Sequence, residues 1–253
     1  MLCTGVAGVL SLGPTTAFAQ EPLPAPPSDP AAGSFDVRAP SRAHGATVAR
    51  IVRPTLARRR LGSSRGARKL GAQTVWSGQP NTLLVLDGRT RDGLDWVKLL
   101  LPYRPNGSTG WVRRDHVVLG TTRYWIDVRT RSRTVTVLRD GKRLRRFRAV
   151  VGAPDTPTPV GLAAIYERNP QPDPRAFLGP WALSLTALSE VLENYGGGPG
   201  RVAIHGRSGA SLRDPLGTAR SHGCIRIDNR RVRWMARRVP PGTPVKIVRR
   251  PKR

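Results

Sequence analysis

The chain has 253 residues, with 43 Lys and Arg against 16 Asp and Glu, a formal net charge of +27. That length suits one large domain or two small ones and is enough to bury a real core. Two cysteines, one of them in an apolar leader, exclude a disulfide framework.

In chain order, the first nineteen residues, MLCTGVAGVLSLGPTTAFA, are uncharged and end in a small-x-small cleavage pattern before Gln20. They are expected to be a signal peptide, although the basic segment that usually precedes one is missing. Gly13 and Pro14 interrupt the run and argue against a membrane anchor. Residues 20–45, rich in Pro and Ala, are expected to be an extended linker with no core of its own. From 46 to 119 the pattern is β. TLLVLDGRTRDGLDWVKLLL predicts two strands joined by a loop carrying both Asp-Gly pairs, and GSTGWVRRDHVVL predicts a further strand pair. Short strands, Trp96, Trp111 and glycine turns suggest a small β-barrel. DWVKLLLPYRPNGSTGWV resembles a bacterial SH3-like domain, which implies a wall-binding or spacer role; a purely structural module is the alternative.

From 121 to 249 a second domain is expected. YWIDVRTRSRTVTVLRDGKRLRRFRAVVG alternates with period two, placing Ile126, Val128, Val135, Val137, Phe147, Ala149 and Val151 on one apolar face, with a turn at 139–142. TPTPVGLAAIYE turns into a strand, and 168–181 reads as a proline-rich loop. TALSEVLENYGGG at 186–198 predicts a short helix or part of a flap. RVAIHG reads as a buried strand ending at His205. Residues 228–239 predict a helix capped by Asp228 or Asn229, with Val232, Met235 or Ala236, and Val239 inward. PPGTPVKIV supplies a closing strand. The fold expected is mostly β with one or two helices, and the lack of βαβ alternation excludes a doubly wound parallel sheet.

The chemistry concentrates in SHGCIR, residues 221–226. Once the leader is gone Cys224 is the only thiol. The bland reading is a buried, inert cysteine. A leftover thiol in an exported chain is the reactive alternative. A thiol attacks as thiolate, so it needs a base or a positive neighbour. His222, His205 and Arg226 are at hand. If 222–226 is extended, His222, Cys224 and Arg226 share a face. Gly223 clears space beside the sulfur, and the Gly223 and Cys224 amides are candidate oxyanion donors. His222 sits about 7 Å along the same strand, an awkward place for a base. His205, from another strand, can face the sulfur and is preferred. No Asp is well placed to orient it; Asp214 and Asp228 are nearest, and a backbone carbonyl could serve.

AIHG at 203–206 followed by SHGCIRIDN at 221–229 resembles the signature of the L,D-transpeptidase catalytic domain, the YkuD-like family. TPTPVG at 156–161 and PPGTPVKI are similar to two further family segments, and the likeness covers about 121–249. It implies a YkuD-like β-sandwich or barrel and a cysteine acyltransferase working on peptidoglycan stem peptides, without metal or other cofactor. Cys224 would be the nucleophile, His205 the base and the Gly206 carbonyl its orienter. Ser221, His222 and Gly223 would shape the oxyanion and substrate pocket. Arg226 would hold the pocket together or meet a substrate carboxylate. The lid is expected within 168–200, with Trp181 and Tyr195 as aromatic candidates.

Several other readings compete. An L,D-carboxypeptidase would use water as acceptor. A zinc site from His205, His222 and Cys224 has poor ligand spacing and no evident fourth ligand. The charge draws polyanions, either anionic cell-wall polymers or nucleic acid, or is only a solvated surface. Export to the wall or periplasmic space argues against nucleic acid. A wall-binding module with a dead catalytic domain would not need the intact Cys, His and Arg set.

Overall fold

The computed structural model describes residues 35–194 and 198–249. The expected signal peptide, Cys3, most of the linker and Tyr195 lie outside the described residues. The described residues form one compact unit.

The first half builds strands β1 (Ala46–Ile51), β2 (Thr55–Ala57), β3 (Arg68–Leu70), β4 (Thr82–Arg91), β5 (Leu94–Leu100), β6 (Thr109–Arg113) and β7 (Val117–Thr122). Five of them form an antiparallel sheet in the order β6-β5-β4-β1-β7, and β2 pairs with β3. The β4–β5 hairpin turns at Asp92-Gly93, both with positive φ (53° and 70°), as a two-residue hairpin loop demands. The other Asp-Gly pair, expected in that loop, lies instead inside β4, where the pairing slips between Val85 and Asp87. A glycine is needed there because a Cβ on Gly88 would stand 2.6 Å from Val37 and 2.9 Å from Phe35. The same contacts correct the linker boundary. Val37 is buried and Phe35 packs against the core of this sheet, so the end of the 20–45 stretch is part of the fold.

The second half adds β8 (Tyr124–Arg129), β9 (Thr134–Arg139), β10 (Lys142–Arg148), β11 (Val151–Gly152), β12 (Gly161–Pro170), β13 (Trp181–Leu188), β14 (Arg201–His205), β15 (Ala219–Ser221), β16 (Ile225–Arg226), helix α1 (Asn229–Arg238) and β17 (Pro244–Val248). Eight strands make a mixed sheet, β10-β9-β8-β17-β12-β13-β14-β16, that curls into a half-barrel. The residues expected on one face from 126 to 151 all enter its core, joined by Val232, Met235, Ala236 and Val239. Each such aliphatic side chain removed from water contributes about 1.5–3 kcal/mol. Asp228 caps α1 by accepting from the Arg230 N–H, the role Ser, Thr, Asp and Asn fill at helix starts.

Among the described residues of 186–198, where a short helix or part of a flap is expected, there is no helix. Thr186–Leu188 end β13, and the chain then bends without helical turns. Leu183, Leu185 and Ala187 alternate into the core, while Thr186 on the other face accepts the Ala164 N–H at a bulge. A period of two was present, and the helix-forming letters that follow obscured it.

β12 also packs on the first sheet. Tyr166 is buried among the first sheet's core residues, and Ala164 joins Ala46, Leu84 and Leu100 in a third cluster. Buried Glu167 accepts from the Ser77 N–H and hydroxyl at 3.2 and 2.9 Å, which satisfies a carboxylate that would otherwise be costly to bury.

Candidate active site

The parallel pairing of β14 with β16 brings the two motifs together. Ile204 is opposite Ile225 and His205 is opposite Arg226, so Cys224 enters β16 beside the strand that ends in His205. Cys224, His205, His222 and Arg226 line one narrow cleft of about 70 Å³, with Phe177, Leu178, Ser189 and Leu192 forming other parts of its wall.

The cysteine turn is not an extended strand. Gly223 has φ +107°, a region that L side chains avoid, so the simple alternation assumed for 222–226 fails at its centre. The three side chains reach the cleft regardless, with His222 exposed and Arg226 4% exposed. Ser221 is fully buried and braces the turn. Its hydroxyl donates to the Cys224 carbonyl and accepts the Gly223 N–H at 3.3 Å. The Gly223 amide, expected as an oxyanion donor, is thus partly engaged.

TPTPVG, which resemblance alone had marked, has a concrete task here. The Thr156 hydroxyl donates to the Ser221 carbonyl at 3.0 Å. Thr158 donates to the Gly223 carbonyl at 2.8 Å and accepts from the Gly152 N–H at 2.9 Å. These threonines fix the backbone that presents Cys224. Their side-chain partners lie 65 residues away in sequence, which is why inspection of local patterns missed them.

His205 is buried, and its Nδ1 is 2.7 Å from the Gly206 carbonyl. A carbonyl only accepts, so Nδ1 carries the proton and Nε2 of the neutral ring is left as the base. A side chain at Gly206 would require Asn229 and Pro180 to shift, since a Cβ there would lie 2.4 Å from Asn229 Oδ1 and 2.8 Å from Pro180. Asn229 in turn accepts the Arg207 N–H at 2.7 Å and donates to the Arg207 carbonyl at 2.8 Å. The two Asp candidates are used elsewhere. Asp228 caps the helix, and Asp214 pairs with the Arg226 guanidinium.

Burial, and then the nearby Arg226 charge, push the His205 pKa down to about 4, against opposing help from the Gly206 and Leu178 backbone. Burial raises the Cys224 thiol, with the Ala203 backbone and Arg226 pulling the other way. Both shifts favour uncharged forms. The resting pair is therefore neutral thiol and neutral imidazole, so a thiolate here needs a base, as the sequence predicts.

Arg226 lies under Phe177, with its guanidinium carbon 4.8 Å from the ring centroid. Phe177 also stacks near His205, at 6.2 Å between centroids. Phe177 takes the aromatic place expected of Trp181, which packs against the domain core instead. Of the expected lid range 168–200, the stretch 168–170 belongs to β12 and 181–188 to β13. Only the flanking loops reach the cleft. Among the described residues no group of three or more His, Cys, Asp or Glu side chains is arranged to hold a metal.

The chain is similar to several known proteins. Residues 123–247 match the model of the YkuD family, the L,D-transpeptidase catalytic domain. A Bacillus licheniformis protein bearing the name L,D-transpeptidase YkuD is 34% identical over 128 residues, covering 51% of this chain and 67% of that protein. Among solved structures, an L,D-transpeptidase from Mycobacterium smegmatis is 18% identical with a TM-score of 0.39, covering 61% of this chain and 90% of its own. The catalytic domain of an Enterococcus faecium L,D-transpeptidase is 22% identical with a TM-score of 0.36, covering 51% of this chain and all of its own.

Proposed function

Since this chain belongs to the L,D-transpeptidase family through its YkuD catalytic domain, we propose that it is an exported enzyme forming 3→3 cross-links in peptidoglycan through a Cys224 thioester. The observation that carries this reading is the shared cleft of Cys224 and His205, with the imidazole held in the Nδ1–H form by Gly206.

The substrate is the carbonyl between the third, diamino-acid residue and the D-alanine of a tetrapeptide stem. As Sγ adds to it, Nε2 of His205 takes the thiol proton. The negative charge that develops on the carbonyl oxygen meets the Cys224 amide of the glycine turn. The intermediate collapses, the C–N bond breaks, and the D-alanine amine leaves with the proton from the imidazolium. A side-chain amine of a second stem then attacks the thioester, loses its proton to His205 and releases Cys224 as thiol. A neutral starting pair suits this sequence, because an imidazole that is protonated only near pH 4 is free to accept across the neutral range. Arg226, held by Asp214 and Phe177, keeps one wall in place beside the sulfur.

The module from 46 to 119 is read as an SH3-like barrel that serves as a spacer or wall contact. The cationic surface suits anionic wall polymers, and residues 1–19 would direct export. Purified protein incubated with stem tetrapeptides and analysed by mass spectrometry tests the activity. Cross-linked dimers with free D-alanine support it. Trimmed monomers alone would replace it with an L,D-carboxypeptidase.

A further inference from the structure

We propose that Arg104 and Asn106, outside the catalytic domain, are positioning residues that hold the cleft wall facing Cys224. The inference rests on the function above only for the identity of the acyl donor.

The wall in question begins where β13 ends. Ser189 and Leu192 line the cleft, and the Ser189 hydroxyl stands 3.9 Å from where a Cβ on Gly223 would be. Its local structure is slight. The Ser189 hydroxyl accepts the Val191 and Leu192 N–H groups at 3.3 and 2.9 Å, and the Ser189 N–H donates to the Gly200 carbonyl at 2.8 Å. A turn this short has little apolar burial of its own. Val191 is half exposed.

What fixes it comes from the loop after β5. The Arg104 guanidinium donates to the Ser189 carbonyl at 2.7 Å, the Leu192 carbonyl at 3.1 Å and the Pro199 carbonyl at 3.4 Å. Asn106 makes a reciprocal pair with Leu188, donating to its carbonyl and accepting its N–H, both at 2.8 Å. Arg201 ties the same place from the other side. It donates to the Pro102 and Leu185 carbonyls at 3.3 and 3.0 Å and stacks 4.7 Å over Tyr166. A planar guanidinium with several fixed donors can gather carbonyls from different turns of one loop, which a single-point ammonium cannot do as well. Charge-assisted bonds of this kind are roughly twice as strong as neutral ones. The first β module is thus more than a spacer, because it helps hold the cleft wall that faces Cys224.

The test compares the full chain with Arg104→Ala, Arg104→Lys and Asn106→Ala. Hydrogen exchange at the amides of residues 190–192 should quicken by about tenfold or more in Arg104→Ala, as losing one ordinary hydrogen bond would produce. The β14 and β16 amides should hold their parent rates. Acylation by a stem tetrapeptide should fall about ten- to hundredfold, the scale set by small misplacements of a binding wall, chiefly through a higher KM. Alkylation of Cys224 by iodoacetamide, which needs no wall, should stay within about twofold. Arg104→Lys should recover part of the loss. If Arg104→Ala cannot be purified folded, Asn106→Ala carries the same measurements. Parent-like exchange at 190–192 in a folded variant overturns the proposal. A parent that forms no acyl-enzyme at all overturns the proposed function instead, while the exchange data still judge the clamp.

Discussion

The two sides of the cleft are built differently. The side that carries Cys224, Ser221–Arg226, is braced from within its own domain by Thr156, Thr158, Ser221 and Asp214. The facing side, Leu188–Leu192, has few bonds of its own and is also held by Arg104 and Asn106 of the preceding β module. The Cys224 turn is thus supported within its own domain, while the opposite wall depends in part on another module. Changes on the first side should therefore act on the chemical step, and changes on the second on substrate capture.

The largest effect expected is from Cys224→Ser. Acylation by a carbapenem-type β-lactam, read by intact-protein mass, should drop by a factor on the order of 10⁴ or more. His205→Ala should slow acylation by about 10²–10⁴, whereas His222→Ala, removing an exposed side chain, should stay within about tenfold. A larger loss for His222→Ala would transfer the role of base to that residue.

Asp214→Asn leaves the Arg226 guanidinium buried without its carboxylate. It should cost about 2–4 kcal/mol in denaturant unfolding, with Arg226 and Phe177 displaced together. Thr158→Val removes two hydrogen bonds, leaving the buried Gly223 carbonyl without that donor and the Gly152 amide without its acceptor. About 1–3 kcal/mol should be lost, together with a lower acylation rate, because the glycine turn loses its brace.

A further effect is on pH dependence. His205 is protonated near pH 4 when folded and near 6.5 when unfolded. The unfolded chain therefore binds more protons between these values, and this contribution to stability is present above about pH 6.5 and lost as pH falls toward 4. Urea midpoints of the parent should decline over that window, and His205→Gln should remove that part of the slope. Iodoacetamide alkylation of Cys224 should rise with pH through and above the ordinary cysteine range, with no plateau near neutrality, because burial raises the thiol.

Much of the core was readable. The alternation from Ile126 to Val151 and the spacing of Val232, Met235 and Val239 report faces that water excludes, and these residues are buried as expected. The pairing of AIHG with SHGCIR pointed to one cleft, and the need for a carbonyl to orient His205 was visible once no Asp lay nearby. The helix expected at 186–198 failed because Leu183, Leu185 and Ala187 answer to a sheet, whose partners lie far off in sequence. Trp181 failed as a lid residue because aromatic type does not say which face a strand turns to the core. Phe177, in an irregular loop, carried no periodic signal at all.

From the order of its residues alone this chain determined a mostly β fold, a glycine turn bearing one thiol, and a histidine at the end of a neighbouring buried strand. These are local matters of pattern, backbone conformation and side-chain chemistry. Tertiary structure decided that burial disfavours charge on both thiol and imidazole, that Asp214 answers Arg226, and that Arg104 and Asn106 reach across to the opposite wall. Protonation depends on how completely water is removed, and long-range hydrogen bonds depend on which segments the fold brings together. Neither quantity exists until the chain has closed on itself.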